Sequence, residues 1–337
     1  MKQFKNKILL AVGSSLAVLI AITFFTVDQN TWSALTELNL IYLVIVAGAM
    51  LLTWVLNGLK LKVLASGVDF KLPLLAAIEI GLVGKFFSNV TPSGIGGQPL
   101  KIVALSKADI SSGEASAIVV VELIFRLLFF AFSLPLVLIN LTATVTNYVS
   151  PVILLSSIIT FIIILIFIVY FLLYHPRYLV AGWFWLLNTS LACKLLAKDR
   201  RYSWKRGVAR EVRIFYQTVW LYLKDSKLQL LSGFLLTALM WITQFTVLYF
   251  VISSFNIETT LGYVFLLQLL VYTIVLFIPI PGGSGVEAVL ASLLGQTLDP
   301  SLVGIIVALW RFFTYYTYII FGGLVSFKVF NLGPELD

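Results

Sequence analysis

The chain has 337 residues, of which 60% are hydrophobic and 11% charged, with a formal net charge of +8. No soluble domain needs that composition, and apolar runs of about eighteen or more residues recur along it, so a multi-pass helical membrane protein is expected. A single cysteine, Cys193, excludes an internal disulfide and a cysteine-based metal cluster. With His175 the one histidine, neither a metal site nor a cofactor is expected.

Lys2, Lys5 and Lys7 precede an apolar run from Ile8 to Val27. It reads as an uncleaved first span; a signal peptide is the alternative, but no small-x-small site ends it. Leu40 to Leu56 is a second span, followed by Asn57, Lys60, Lys62 and Lys71, with Asn57 and Lys60 expected to snorkel at the interface. Pro73 to Phe87 runs into Thr91-Pro92-Ser93-Gly94-Ile95-Gly96-Gly97-Gln98-Pro99, and Leu100 to Leu105 beyond it is too short to cross a bilayer. Glu114 to Asn140 and Pro151 to Tyr174 are spans. Residues 176–228 follow, an aromatic-rich basic segment expected to form interfacial amphipathic helices. Between His175 and Gln229 eleven Lys/Arg face three acids, which accounts for the whole excess of eight. Leu230 to Ile252 spans again, and Gly262 to Phe277 leads into Ile278-Pro279-Ile280-Pro281-Gly282-Gly283-Ser284-Gly285-Val286-Glu287. Val286 to Leu298 is short, and Ser301 to Phe327 is the last span.

Segments 28–39, 141–150, 254–260 and 295–300 carry no Lys or Arg, whereas the intervening ones are basic. The positive-inside rule then places both termini and the basic segment in the cytoplasm, in a multi-pass protein of the cell membrane. This requires each glycine stretch to be the tip of a re-entrant hairpin. Arg126 follows Gly97 by 29 residues and Arg311 follows Gly283 by 28, in similar contexts, Val121 to Phe130 against Ile306 to Tyr315. Three spans separate the two glycine hairpins, so an inverted repeat is expected, with 73–140 related to 261–328 inside one integral membrane domain, residues 1–337. The fold class is therefore an all-α polytopic membrane bundle with two inverted repeats, each a glycine-rich hairpin followed by a span with a buried arginine. Arg126 lies twelve residues into its span and Arg311 ten into its own, about 18 and 15 Å of helix rise, near mid-membrane.

An arginine at that depth costs at least about 2.5 kcal/mol and should face a bundle interior or a wet cavity. Glu122, four residues before Arg126, is positioned to neutralise it, either as packing or as part of a site. Arg311 has no acid at that spacing and needs Glu287, Glu79 or a ligand anion. The glycine stretches have two readings: backbone N–H groups cradling an anion, or close helix packing. The two together, each with a buried arginine, favour the first, with Lys85 and Lys101 nearby and a phosphate or carboxylate as guest. Glu79, Asn89, Thr91, Gln98, Gln244, Gln268, Ser284 and Tyr315 are weaker lining candidates, most of them readable as interhelical glue. Nucleotide-hydrolase, kinase, serine-hydrolase and zinc-protease signatures are missing, and beside spans a basic segment points to lipid, not nucleic acid.

At these residues the chain resembles the flippase-like transmembrane region of lysylphosphatidylglycerol synthases, the membrane half of the multiple-peptide-resistance factor. Thr91-Pro92 through Gly96-Gly97-Gln98-Pro99 looks like the first family motif in its Gram-positive form. Pro279-x-Pro281-Gly282-Gly283-x-Gly285-x-x-Glu287 looks like the second, more specific one. The resemblance implies translocation of an anionic or aminoacylated phospholipid, or of a polyprenyl-linked lipid. The chain stops ten residues after the last span, so the family's lysyl-transferring domain is expected to be absent and no catalytic residue is assigned. Phosphatidylglycerol lysyl transfer, or service as its accessory membrane subunit, is the alternative. The expected binding residues are Pro92, Gly96, Gly97, Gln98, Lys101, Glu122, Arg126, Pro281, Gly282, Gly283, Gly285, Glu287 and Arg311. Expected partners are an anionic phospholipid or lipid-linked substrate and the membrane itself, with a second copy of the chain or a separate synthase as candidate protein partners.

Overall fold

A computed structural model of the chain describes residues 29–91, 94, 96–145, 198–276 and 284–330, with isolated positions 20, 159, 163 and 170. The spans expected at Ile8 to Val27 and Pro151 to Tyr174 lie outside the described residues. So do Pro92, Pro281, Gly282 and Gly283, and both termini. Among the described residues the regular structure is all helical: α1 (Gln29–Thr36), α2 (Leu40–Ser66), α3 (Leu74–Val90), α4 (Gly97–Lys107), α5 (Ser112–Val145), α6 (Lys198–Lys224), α7 (Lys227–Ser253), α8 (Leu261–Leu276), α9 (Ser284–Leu294), α10 (Pro300–Arg311), a π-helical turn (Phe312–Tyr316) and α11 (Thr317–Phe330).

Local chemistry starts several of these helices. Asn39 caps α2 by accepting the Ile41 N–H at 3.1 Å. Before α5, Ser111 and Glu114 form a reciprocal capping box, each accepting the other's backbone N–H. Asp299 caps α10 through the Ser301 N–H at 2.9 Å, with Pro300 in the first turn; that bond holds its carboxyl below the usual carboxylate range.

Leu40–Ser66, Ser112–Ser133, Lys227–Ser253 and Pro300–Phe330 are long and apolar enough to cross a membrane. Their outward faces are apolar: Val44, Leu51 and Leu52 on α2, Leu231, Leu235 and Leu239 on α7, and Leu324 and Phe327 on α11 are exposed. Charge is instead turned inward, with Lys60, Lys101, Glu122, Glu287 and Arg311 buried. Apolar outside and ionic inside suits a bundle whose solvent is hydrocarbon.

Two ends of the bundle are defined by hydrogen bonds. At one, Tyr222 on α6 donates to the Leu64 carbonyl, Ser226 donates to Gly67 and the Gly113 N–H donates to Glu211. Lys328 pairs with Glu79 and Lys107 reaches the Val329 carbonyl there. Burial pushes the Tyr222 phenol well above its ordinary range, so it remains a donor. At the opposite end Asn39 N–H donates to Ser254, Asn256 to Glu37, Thr31 to Ser301, and Tyr263 meets Thr297. The basic segments thus gather at one end and the cation-free connections 28–39, 254–260 and 295–300 at the other.

The α3–α4 pair starts and finishes at the basic end, as a re-entrant hairpin must. α4 has 11 residues, about 16 Å of rise against a hydrocarbon core of about 30 Å, so it cannot cross. Helices α8 and α9 also pack together, and the Tyr263–Thr297 contact closes their open end at the cation-free end of the bundle. The open ends of the two pairs therefore lie at opposite ends of the bundle. Of the basic segment, α6 is a single helix of 27 residues lying on α5, with Tyr216, Thr218 and Tyr222 inward and Arg210, Arg213 and Lys224 outward.

Candidate functional site

The first hairpin is closed by glycine. A Cβ at Gly97 would fall inside Ser88 Oγ and the Gly84 carbonyl oxygen, and one at Gly84 would lie 2.7 Å from Lys101 Cε. At the tip Gly94 takes φ +67°, a left-handed conformation that glycine adopts without strain. Thr91 organises the turn: its hydroxyl donates to the Phe87 carbonyl at 2.7 Å and accepts the Gly96 N–H at 3.0 Å, and its carbonyl accepts the Gly94 N–H at 3.1 Å. The N–H groups of Gly94 and Gly96 are therefore engaged within the turn. Gly84 and Gly97 serve close packing of α3 on α4, and positive charge is supplied beside them by side chains.

Those side chains converge on Glu122 of α5. Lys60 of α2 meets Oε1 at 2.9 Å and Lys101 of α4 meets Oε2 at 2.8 Å. This refines one expectation and corrects another. Glu122 spends its close contacts on two ammonium groups from neighbouring helices and makes no ion pair with Arg126, which it reaches only at longer electrostatic range. Lys60 does not snorkel; it is 5% exposed. The reason is that α2 continues to Ser66, well past Leu56, and carries Lys60 on the inward stripe formed by Leu56 and Leu64 at four-residue spacing. Ending the span at Leu56 hid that register.

Arg126 is left differently. Its Nε is buried without a hydrogen-bond partner, and among the described residues no carboxylate lies within ion-pair distance. The side-chain amide atoms Asn89 Nδ2 and Gln98 Oε1, at the two sides of the hairpin tip, are also buried and unpartnered.

The second cluster settles the partner of Arg311. Its Nε lies 2.7 Å from Oε1 of Glu287, which is 0% exposed, while Glu79 is held at the basic end by Lys328. Glu287 and Gly285 stand in the first turn of α9, where an acid is favoured by the helix dipole. Immediately after Arg311 the backbone widens into the π-helical turn, a rare form that recurs at functional sites. The Arg311 guanidinium lies 4.8 Å from the Tyr315 ring centroid and 5.5 Å from that of Trp310. The Tyr315 hydroxyl donates to the Asn89 carbonyl at 3.1 Å. One tyrosine thus ties the second cluster to the tip of the first hairpin.

Lys85 sits between the clusters, its Nζ 5.6 Å over the Tyr318 ring and in electrostatic reach of Arg126, Arg311, Lys101 and Lys60. The structure therefore brings Lys101, Glu122, Glu287 and Arg311, all buried, and the half-buried Arg126 into one ionic region near the first hairpin. It adds Lys60, which sequence reasoning set aside. Gln268, by contrast, is interhelical glue, donating to the Phe245 carbonyl at 2.7 Å. Among the described residues no group of His, Cys, Asp and Glu is placed to hold a metal ion.

An all-α bundle with apolar faces outward and an ionic region inside defines a polytopic membrane protein. The chain belongs to the lysylphosphatidylglycerol synthase TM region family, whose model matches residues 8–322. It is also similar to a UPF0104 membrane protein of Archaeoglobus fulgidus, 26% identical over 312 residues that cover 92% of this chain and 93% of that protein.

Proposed function

We propose that this protein moves a lipid with an anionic or aminoacylated headgroup, phospholipid or polyprenyl-linked, from one leaflet to the other. In this reading the basic end and both termini are cytoplasmic, and the protein resides in the cell membrane. The two hairpins act as inverted counterparts, with 73–140 related to 261–328, that expose the ionic region to each leaflet in turn. The observation that carries the reading is Arg126, whose buried Nε has no hydrogen-bond partner among the described residues. An arginine cannot discharge by losing its proton, so a phosphate oxygen is the natural complement. The matching approach of α3–α4 and α8–α9 from opposite ends supports alternating access.

Purified protein in proteoliposomes should translocate a reporter phospholipid, and Arg126→Ala should slow it by about tenfold or more. That figure follows from losing a charge-assisted hydrogen bond of about 1.5–3 kcal/mol. Because Arg126 anchors no ion pair, its loss leaves the fold intact and makes it the decisive variant. Wild-type translocation by Arg126→Ala would refute the headgroup role.

A further inference from the structure

The ionic region is unbalanced, and the size of the imbalance says what kind of headgroup it takes. Among the described residues Lys60, Lys85, Lys101, Arg126 and Arg311 stand against Glu122 and Glu287, an excess of three positive charges in one region of the interior where Lys85 and Arg126 are half-buried and the others buried. The distribution matters as much as the sum. Arg311 and Glu287 form a pair and cancel. Glu122 is shared by two lysines, leaving one positive charge over at the α2–α4–α5 junction. Lys85 and Arg126 add one each. These three surplus charges lie on α3, α5 and the Lys60–Glu122–Lys101 bridge, all lining the first hairpin.

From the above we propose that the headgroup this region accepts is a phosphomonoester, a terminal phosphate carrying close to two negative charges, and not a phosphodiester or a lysyl ester. The proposal rests on reading this cluster as the headgroup site. Uncompensated charge in a low-dielectric interior is costly, and attraction between unit charges there is several-fold stronger than in water. A phosphodiester has one negative charge and would leave two of the three cations unanswered. An aminoacylated phosphodiester brings an ammonium of its own, so it would add a positive charge to a site already over-supplied. A terminal phosphate has about −1.5 to −2 charges at neutral pH, since its second ionisation lies near 6, and presents three strong acceptor oxygens. Three acceptors match the surplus of three donors. The buried amide groups of Asn89 and Gln98 at the hairpin tip are further polar atoms that such a guest can satisfy.

The test is a binding competition on the full-length protein in phosphatidylcholine nanodiscs, titrated with phosphatidic acid, phosphatidylglycerol and lysylphosphatidylglycerol of identical acyl chains. Phosphatidic acid should bind at least about tenfold tighter than phosphatidylglycerol at about pH 8, with lysylphosphatidylglycerol weakest; tenfold corresponds to about 1.4 kcal/mol. The ratio of the two affinities, not either one alone, should fall towards unity at about pH 5, where phosphatidic acid becomes a monoanion. Facing the guest are Lys60 of α2, Lys85 of α3, Lys101 of α4, Glu122 and Arg126 of α5, Tyr272 of α8, Glu287 of α9, Arg311 of α10, Tyr315 of the π turn and Tyr318 of α11. A charge gained or lost among these groups weighs more on a dianion than on a monoanion, so the fall in the ratio is read in the wild type and in Lys85→Gln side by side, and only the part common to both is assigned to the guest's own ionisation.

Lys85→Gln should reduce the ratio several-fold, and Arg126→Gln serves as a second variant should the first fail to fold. Glycerol 3-phosphate distinguishes the sources of the phosphate. No competition from it supports a lipid guest, while competition equal to that of phosphatidic acid supports the monoester chemistry but makes the guest soluble. Equal affinity for phosphatidic acid and phosphatidylglycerol at about pH 8, or a preference for lysylphosphatidylglycerol, overturns the proposal and leaves lipid translocation standing. Conversely, a retained phosphatidic acid preference without any translocation in proteoliposomes overturns the transport reading alone.

Discussion

The two halves carry the same motif, a glycine hairpin followed by a span with a deep arginine, yet they solve the arginine differently. In the second half Arg311 is closed by Glu287, contributed by the hairpin helix α9. In the first half the acid, Glu122, sits on the same helix as Arg126, where its oxygens are taken by Lys60 and Lys101 and Arg126 stays open. The acid's position decides the outcome. A carboxylate on a facing helix can meet a guanidinium directly, whereas one on the same helix competes with every cation that the neighbouring helices deliver. The second half is therefore a closed pair and the first an open, cation-rich junction.

That contrast is most severely tested by removing each arginine. Arg311→Gln strands Glu287 in the interior and should destabilise the protein by about 3–5 kcal/mol, the usual penalty for breaking a buried pair. Arg126→Gln breaks no pair and should leave stability within about 1 kcal/mol of wild type. Thermal unfolding in detergent micelles compares them, and equal losses would erase the distinction between a closed and an open half.

A smaller effect is expected at the first hairpin, whose junction depends on close approach. Gly97→Ala forces α3 and α4 apart and should cost about 1–3 kcal/mol, the range for overpacking. Gly48, on the outer face of α2, has nothing within 4 Å of the point where a Cβ would stand, so Gly48→Ala should stabilise by up to about 1 kcal/mol. A harmless Gly97→Ala would show that the hairpin has room to spare. Smallest is Tyr315→Phe, which keeps the ring on Arg311 but removes its bond to Asn89. A loss of about 0.5–1.5 kcal/mol is expected, together with weakened coupling between the halves in a double-mutant cycle with Arg126→Gln. No coupling would mean that the two clusters act separately.

Much of this was readable from the residues in order. Hydropathy identified the spans, Pro and Gly marked the hairpin, and the shortness of Leu100 to Leu105 already forbade a crossing. The cation-free connections 28–39, 254–260 and 295–300 anticipated which segments meet at one end. For Arg311 three partners were open, and the reach of α9 chose Glu287. The two lysine partners of Glu122 were out of reach because helical spacing counts only neighbours on one helix. Lys60 was misread because hydropathy ends a span at its first cations, although the inward stripe of Leu56, Lys60 and Leu64 ran on.

The sequence by itself determined that this chain lives in a membrane, that Pro and Gly interrupt two of its apolar segments, and that an arginine follows each interruption inside an apolar helix. Those properties follow from local hydropathy, chain length and backbone geometry, which need no partner. Only the tertiary structure decided where each buried charge finds its complement. Ion pairing in a low-dielectric interior depends on which helices cross within about 4 Å of one another, and no spacing along a single helix contains that information. Whether Arg126 is answered by the protein is such a question, and the crossing of α2, α4 and α5 at Glu122 leaves its Nε without a hydrogen-bond partner among the described residues.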